Sequence, residues 1–290
     1  MRIVEVGPRD GLQNEPIPIS TVEKVEFIQR LSDAGLTEIE ATSFVSPKWV
    51  PQLGDAAELW PVLPNGPVYS ALVPNLRGFE TARNLGVKKI ALFTAASDEF
   101  TQRNINRTVA ESLADFSEIV RQRPVGMLVR GYVSTAFDCP FSGPVSPAQV
   151  RSVVDALVTI GCDEISIGDT LGTANPSRTR ELARQLSDIS NLFWHFHDTY
   201  GRAVANVMAA MDSGVGVGFD ASAGGLGGCP YASGATGNLA TEDLICLLES
   251  EGVRTGIDPV RLAQASVPIL ERLGRPISAK SQAAILSRVR

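Results

Sequence analysis

Short apolar runs alternate with longer amphipathic segments along most of this chain. The short runs are rich in Val, Ile, Phe and Tyr and are bounded by polar or turn residues, a pattern typical of buried β-strands. Eight such runs are present, at residues 2–7, 38–42, 68–73, 89–94, 129–135, 164–170, 191–197 and 217–222. We therefore expect eight strands.

The amphipathic segments between these runs predict helices. Several of them open with Ser, Thr or Pro and several end in Gly, which are the usual signals of helix boundaries. The predicted helices include residues 21–35, 76–86, 107–122, 146–161, 176–189 and 240–252. The tail from Asp258 to Arg290 is expected to form an additional helical extension.

The regular order of strand and helix predicts an α/β fold in which parallel strands are joined by helical crossovers. Eight repeats favour a closed (β/α)8 TIM barrel over an open doubly wound sheet, and a length of 290 residues suits one barrel. We find no GxGxxG or P-loop motif after any strand and no linker-like stretch. The sequence thus predicts a single domain over 1–290, of which 258–290 is a short C-terminal helical extension.

Composition and charge narrow the possible partners and the setting. The chain is 44% hydrophobic and 20% charged and has a formal net charge of −6. This balance argues against nucleic acid or a membrane as partner, since both favour a basic face, and no apolar run reaches the about 18 residues of a membrane span. The four cysteines show no CxxC spacing, which is typical of a reducing setting. Because the first strand starts at once, we expect no leader peptide and a cytoplasmic protein.

Polar residues follow several strands, at the end of a barrel that normally carries the chemistry. The first strand is followed by "GPRDGLQNE", with Arg9 and Asp10, although Pro, Asp and Gly also suit an ordinary turn. Glu40 lies in the second strand, where a buried carboxylate needs a partner, and Arg9 is a candidate. Asp169 stands at the tip of the sixth strand.

The seventh strand ends in "HFHD" and holds the chain's two histidines, His195 and His197. Residues i and i+2 of a strand point to the same face, so both imidazoles can meet at the barrel mouth. A hydrogen-bonded pair of core histidines is the plain alternative. Because the chain uses histidine nowhere else, we favour a metal site.

A glycine-rich segment at 224–244 offers further candidates. It carries Asn238, whose side-chain oxygen is a hard ligand, and Cys229, a candidate proton donor. It could be a flexible loop, but long loops in compact domains are usually functional lids. With Asp10 and the two histidines, Asn238 completes a mixed oxygen and nitrogen set. That set suits Mg²⁺ or Mn²⁺ better than zinc.

Several motifs together resemble one enzyme family. They are "VEVGPRDGLQNE", "TSFVSPKWVPQ", "RGYVS", "EISIGDT", "HFHDTYG" and "GGLGGCPYASGATGNLATEDL". In these motifs the chain resembles 3-hydroxy-3-methylglutaryl-CoA lyase, a member of the metal-dependent lyase and synthase barrels. The likeness runs from Ile3 to about Gly252.

The resemblance implies a role for each matching residue. Asp10, His195, His197 and Asn238 match the metal ligands, and Arg9 matches the catalytic arginine, which also faces the substrate. Glu40 and Asp169 match polar residues that support the site and the proton transfers, and Cys229 matches a catalytic loop cysteine. His195, or Asp10 through bound water, is the candidate base. Coenzyme A is expected across the barrel mouth, with contacts from Gln13 and from Asn104, which lies in "RNIN" where the family has "KNIN".

The implied reaction is a retro-Claisen cleavage of 3-hydroxy-3-methylglutaryl-CoA to acetyl-CoA and acetoacetate, as in leucine degradation and ketone body formation. The resemblance also implies a homo-oligomer, either a dimer or a tetramer. Two features depart from animal members. Phe196 replaces a cysteine between the histidines and should point away from the metal, and the tail lacks a cysteine, so thiol regulation should be absent. The expected lack of a leader points to a bacterial enzyme.

Four other functions remain open. The same residues could cleave a longer or differently branched 3-hydroxyacyl-CoA, because discrimination of a methylene depends on pocket shape. A Claisen-type synthase would share the HxH pair, but the "GGLGGCPYA" segment favours the lyase. A zinc amidohydrolase would carry its HxH on the first strand with further histidines. A non-catalytic CoA-binding barrel would have no need of all the candidate catalytic residues.

Overall fold

Eight parallel strands close into a barrel in the computed structural model, which describes residues 1–228 and 237–289. The barrel strands are β1 Arg2–Glu5, β2 Glu38–Ser43, β3 Val68–Leu72, β4 Lys89–Ala95, β5 Leu128–Ser134, β8 Glu164–Asp169, β9 Leu192–Phe196 and β10 Gly218–Ala221. Going round the barrel, the order is β1, β10, β9, β8, β5, β4, β3, β2. All eight predicted strands are present, and the predicted TIM barrel is confirmed.

A small hairpin interrupts the regular alternation after β5. Its strands, β6 Asp138–Cys139 and β7 Gly143–Pro144, pair antiparallel outside the barrel. It follows the carboxyl end of β5 and therefore lies at the rim of the barrel mouth, where loops of this fold carry function.

Twelve α-helices occur among the described residues. They are α1 Thr21–Asp33, α2 Ala56–Leu59, α3 Leu76–Asn84, α4 Asp98–Ile105, α5 Val109–Gln122, α6 Pro147–Ile160, α7 Pro176–Gln185, α8 Ala203–Ser213, α9 Thr241–Ser250, α10 Pro259–Ala265, α11 Val267–Leu273 and α12 Lys280–Arg288. The helices α1, α5 and α6 begin with capping boxes at Ser20, Thr108 and Ser146. The six predicted helices are present, whereas α2, α4 and α8 were not predicted. Two of these are short, and α8 has Arg202 at its N-cap position, which provides no side-chain cap, so the usual start signal is missing.

Charged side chains fill much of the barrel interior. Arg130 on β5 donates to Asp220 on β10, two strands that are not neighbours, so the bond crosses the lumen. Nearer the amino-terminal end, Lys89 lies 2.7 Å from Glu164 and 3.0 Å from Glu38. Barrel interiors are usually filled by branched apolar side chains. Here the main apolar core lies between the strands and the outer helices.

The C-terminal helices, whose presence the sequence predicted, pack against the barrel's outer layer. The backbone N–H of Asp258 donates to Ala34 O at the end of α1, and Ser281 N–H donates to the Asp243 carboxylate at the start of α9. The buried amide of Gln282 donates to Ala263 O and to Ser266 Oγ, both at 2.8 Å. Among the described residues, no helix combines the length and apolarity that a membrane crossing requires.

Candidate active site

A single helical turn after β1 carries the first two site residues. Gly7–Gly11 wind into one wide turn, in which the N–H of Asp10 donates to Val6 O at 2.7 Å. A Cβ on Gly11 would lie 2.8 Å from Ser222 Oγ and 2.9 Å from Leu226 Cβ. Glycine thus lets the turn pack closely against the end of β10, which places Arg9 and Asp10 at the barrel mouth.

Arg9 is held between two carboxylates and an aromatic ring. Its Nε donates to Glu40 Oε1, and its Nη1 donates to Asp10 Oδ1 at 2.7 Å. Its guanidinium carbon stands 5.6 Å from the centre of the Tyr132 ring, and Tyr132 in turn donates its hydroxyl to Glu40 Oε2 at 3.0 Å. Burial disfavours the Arg9 cation, but Glu40 and Asp10 outweigh this and raise its pKa. The predicted pairing of Arg9 with Glu40 is confirmed.

The two histidines face each other at the end of β9. His195 Nε2 and His197 Nε2 are 3.2 Å apart, and His195 Nε2 lies 3.8 Å from Asp10 Oδ2. One ligand atom from each of Asp10, His195 and His197 lies within 4.8 Å of the others. Phe196, between them, points into the apolar core and stacks on Trp194 with ring centres 5.6 Å apart, as expected.

The electrostatics hold Asp10 and His197 in the forms that bind a cation, whereas for His195 burial is outweighed by Asp220 and Asp10, which raise its pKa. Burial opposes ionisation of Asp10, but Arg9, the two imidazoles and Asn238 outweigh it and lower its pKa to about 2. Burial and the neighbouring His195 lower the pKa of His197 to about 4. The cluster therefore offers an ionised carboxylate and a neutral imidazole at pH 7, which are the forms that bind metal.

Asn238 lies beside the cluster, next to both His197 and Asp10. It pairs with His197 in an isolated antiparallel bridge, and its Nδ2 donates to Asp10 Oδ2 at 2.8 Å and to Leu226 O at 3.0 Å. Its Oδ1 is buried and, within the described ranges, accepts no hydrogen bond. A buried oxygen without a donor is costly unless something else occupies it. This free oxygen, the carboxylate and the two imidazoles are a donor set that fits a divalent cation.

A second group of residues holds His195 at Nδ1, the ring nitrogen that does not face His197. Asp220 Oδ2 lies 3.2 Å from His195 Nδ1 and accepts the hydroxyl of Ser166 at 2.7 Å. Its other oxygen accepts from Arg130. Burial raises the pKa of Asp220, but Arg130 and His195 more than offset it, so its pKa is lowered overall.

Asp169 does not join this cluster in the structure. It stands in phase with Ile165 and Ile167, which lie in the outer apolar core, whereas Glu164 and Ser166 face the lumen. Its carboxylate accepts the backbone N–H groups of Thr173 at 3.0 Å and Ala174 at 3.2 Å. Burial raises its pKa to about 7 despite these bonds. These hydrogen bonds go to the loop after β8 and not to the cluster, and the role of Asp169 in supporting the site and the proton transfers stays a prediction.

The remaining predicted residues lie at the rim or outside the described part. Gln13 donates to Asp10 Oδ1 at 3.3 Å, so it lies beside the cluster. Asn104 is exposed on α4, the helix that follows β4. Cys229 lies outside the described residues.

Sequence reasoning missed Asp220, Arg130 and Tyr132. All three lie in strands that were predicted, and each alternates with apolar residues that face outward. The rule that drew attention to Glu40, a charge at an interior strand position, applies equally to Asp220 and Arg130. What the sequence could not provide was the barrel register that brings β5 and β10 together across the lumen.

The comparisons with known proteins agree with this geometry. The model of the HMGL-like family matches residues 1–269. The chain belongs to the HMGL-like family. Lyases of this family depend on a divalent metal ion, which accords with the cluster of Asp10, His195 and His197.

Several relatives are similar over nearly the whole chain. The mitochondrial hydroxymethylglutaryl-CoA lyase of Bos taurus is 47% identical over 286 residues, covering 97% of this chain and 88% of the relative. The 3-hydroxy-3-isohexenylglutaryl-CoA/hydroxy-methylglutaryl-CoA lyase of Pseudomonas aeruginosa is 47% identical over 296 residues, covering 99% and 98%. A solved HMG-CoA lyase from Acinetobacter baumannii, in complex with coenzyme A and 3-methylmalate, superposes with a TM-score of 0.93 at 39% identity and covers 98% of this chain and 94% of that one.

Proposed function

We propose that this protein is a carbon–carbon lyase that cleaves 3-hydroxy-3-methylglutaryl-CoA to acetyl-CoA and acetoacetate. The observation that carries the proposal is the buried cluster of Asp10, His195 and His197 beside Arg9 at the barrel mouth. Membership of the HMGL-like family and relatives named for this activity support the same reaction.

A divalent cation would be held by Asp10, His195, His197 and the free Oδ1 of Asn238. Two oxygens and two nitrogens without a thiolate favour Mg²⁺ or Mn²⁺ over zinc. When bound, such an ion lowers the pKa of the substrate's C3 hydroxyl and orients the substrate.

Arg9 supplies a fixed positive charge. Its Nε and Nη1 are committed to Glu40 and Asp10, and its Nη2 donates to no other described residue. We assign Nη2 to the thioester oxygen, where negative charge develops as the C2–C3 bond breaks. Both oxygens of Glu40 accept hydrogen bonds, so Glu40 would hold Arg9 in place rather than carry a proton.

Two proton movements complete the reaction. The C3 hydroxyl loses its proton to a base at the cluster, and C3 becomes a ketone. His195 can take this proton only where its Nε2 does not hold the cation, because Nδ1 donates to Asp220; otherwise Asp10 takes it through water. The electron pair of the C2–C3 bond stays on C2 as the enolate of acetyl-CoA. Cys229, on the glycine-rich segment, would then protonate C2. Asp169 would act indirectly, by ordering the loop after β8 through Thr173 and Ala174.

Coenzyme A would lie across the barrel mouth, with Gln13 near the acyl end and the exposed Asn104 of α4 further out. The relative from Acinetobacter baumannii was solved with coenzyme A, which supports an acyl-CoA substrate here. From the sequence we also expect a cytoplasmic homo-oligomer, a dimer or a tetramer.

A longer branched substrate is the second candidate. The Pseudomonas aeruginosa relative is named for 3-hydroxy-3-isohexenylglutaryl-CoA as well, at the same 47% identity as the bovine lyase. The cluster would act on either compound, since both share the tertiary alcohol and the thioester.

Acetyl-CoA release from a panel of 3-hydroxyacyl-CoA thioesters tests this proposal. EDTA should abolish release, and Mg²⁺ or Mn²⁺ should restore it. Arg9→Gln should lower kcat by about 10²–10³-fold, the usual effect of losing one preorganised donor. Arg2→Gln is the matched control, because Arg2 pairs with Glu38 and Glu164 at the opposite end of the barrel. Unchanged release in Arg9→Gln would show the assignment to be wrong, and the preferred chain length decides between the two substrates.

A further inference from the structure

Asp220 is completely buried and has three partners that lock its position. Its Oδ1 accepts from Arg130, and its Oδ2 accepts from Ser166 Oγ at 2.7 Å and faces His195 Nδ1 at 3.2 Å. The residue lies on β10, the strand next to β9, and His195 is its direct register partner across the pair. Among the described residues, no other side chain forms a hydrogen bond with His195 Nδ1.

The contact determines which nitrogen of His195 carries the proton. An ionised carboxylate can only accept hydrogen bonds, so a neutral His195 must donate from Nδ1. Its Nε2 is then left with a lone pair, and this atom faces His197 Nε2 and Asp10. His197 differs, because its Nδ1 is buried and has no partner in the described ranges.

Arg130 keeps the carboxylate both ionised and in place. The guanidinium carbon sits 4.1 Å from the centre of the Phe193 ring, and Nη1 donates to Glu164 at 3.0 Å. Its side chain has no exposed area. The arginine is therefore held by Phe193 and Glu164 and presents Nη2 to Asp220 across the lumen.

We propose that Asp220, held by Arg130 and Ser166, is a positioning residue that fixes the tautomer and orientation of His195 and so sets the affinity of the site for a divalent ion. This inference rests on the proposed function, since it needs the cluster to bind metal. Partners of this kind typically change metal affinity by about 10–100-fold when they are removed.

Mn²⁺ affinity tests the proposal without any activity measurement. Free Mn²⁺ is followed by electron paramagnetic resonance during titration of the full chain. Asp220→Asn should raise the Kd by about 10–100-fold. Glu164→Gln is the matched control: it also removes a buried carboxylate from Arg130, but it leaves the contact with His195 intact. Its Kd should stay within about threefold of the unaltered protein.

The tautomer itself provides a second readout. Since the chain has two histidines, ¹⁵N-histidine labelling of untagged, Mg²⁺-loaded protein gives two imidazole spin systems. In the unaltered protein, His195 should carry its proton on Nδ1. In Asp220→Asn that signature should shift or become mixed. An Nε2–H tautomer for His195 in the unaltered protein would overturn the proposal, and this measurement needs no variant.

A double variant that removes both charges of the Arg130–Asp220 pair keeps the proposal testable if the single variant is unstable. If Asp220→Asn does not fold, Arg130→Met combined with Asp220→Asn removes both charges, and its Mn²⁺ Kd should rise by the same factor. An unchanged Kd in the folded variant overturns this inference alone. If the unaltered protein binds no divalent ion, the inference and the proposed metal site fail together.

Discussion

Arg9, Asp10 and Glu40 show how single residues of this site depend on one another. One guanidinium serves two carboxylates, and the second oxygen of each carboxylate is used by another partner, Tyr132 for Glu40 and Asn238 for Asp10. Removing one member leaves a buried charge without its partner, which commonly costs about 3–5 kcal/mol. The site is thus rigid because its charges are mutually satisfied.

The titration of Asp169 gives a prediction at this scale. Its pKa is raised by burial from 3.8 to about 7, so the folded protein binds a proton there that the unfolded chain releases above pH 3.8. The folded state binds more protons between those values, and the free energy of unfolding should fall as the pH rises through this window. Asp169→Asn has no carboxyl group to titrate, so its free energy of unfolding should not fall in this window. Its stability relative to the unaltered protein should therefore increase from pH 4 to pH 8. At about 1.4 kcal/mol per pKa unit, the increase is at most about 4 kcal/mol.

Urea unfolding at several pH values measures this difference. Asp188→Asn is the control, because the hydrogen bonds from Arg151 lower the pKa of Asp188, and Asp188 does not contact Asp169. Its contribution is lost only on acidification below the ordinary pKa of Asp, so the control difference should be flat from pH 4 to pH 8. A flat difference for Asp169→Asn as well would contradict the prediction.

At the scale of elements, the site depends on how the segment before α9 returns to the barrel. Leu239 N–H donates to Phe196 O, and Ser222 N–H donates to Leu239 O, so this segment spans the ends of β9 and β10. That anchoring brings Asn238 onto the histidines. Asn238 is 228 positions from Asp10 along the chain.

Gly237 offers a test of this anchoring. A Cβ there would lie 2.0 Å from Gly225 O and 3.0 Å from Gly227 O, both of them rigid backbone atoms. Gly237→Ala should therefore displace Asn238, lower the Tm and weaken Mn²⁺ binding by about tenfold, the loss of a good part of one ligand. Gly86→Ala, just after α3, is the control: its φ of +73° disfavours alanine, but its Cβ meets nothing within 4 Å. The control should lower the Tm and leave Mn²⁺ affinity unchanged. Equal Mn²⁺ affinity in both variants would show that the anchoring does not position the ligand.

At the scale of the whole molecule, buried ion pairs run along the barrel from Arg2, Glu38 and Lys89 at one end, through Glu164 and Arg130, to Asp220 and the histidines at the other. Buried ion pairs are weak evidence for stability. Their orientation matters more here, because they hold the floor of the site in one arrangement.

The sequence predicted a single domain that includes the C-terminal extension, and this stays a prediction. Since α10 and α12 bond to α1 and α9, we expect the full chain to unfold in one calorimetric transition, with calorimetric and van't Hoff enthalpies in agreement. Truncation after Arg275 should keep one transition and lower the Tm by about 2 °C for each kcal/mol lost. Two transitions in the full chain, with one of them absent after truncation, would contradict this.

Local patterns determined the elements and half of the site. Hydrophobic periodicity predicted every barrel strand, and helix boundary signals helped to predict six helices, because both kinds of signal arise from neighbouring residues. The period of two placed His195 and His197 together, and the turn motif placed Arg9 beside Asp10. The same period, applied to Asp169, would have shown that it faces away from Ser166.

The long-range contacts of the site were decided only by the tertiary structure. The register of the barrel brought Arg130 to Asp220 and Tyr132 to Glu40, and the segment anchored across β9 and β10 brought Asn238 to Asp10. These pairs are separated by 90, 92 and 228 positions. Such contacts depend on which strands meet across the lumen, and no local pattern contains that information. The sequence thus determined which chemical groups are available, whereas the tertiary structure decided which of them touch, because long-range proximity is a property of barrel closure.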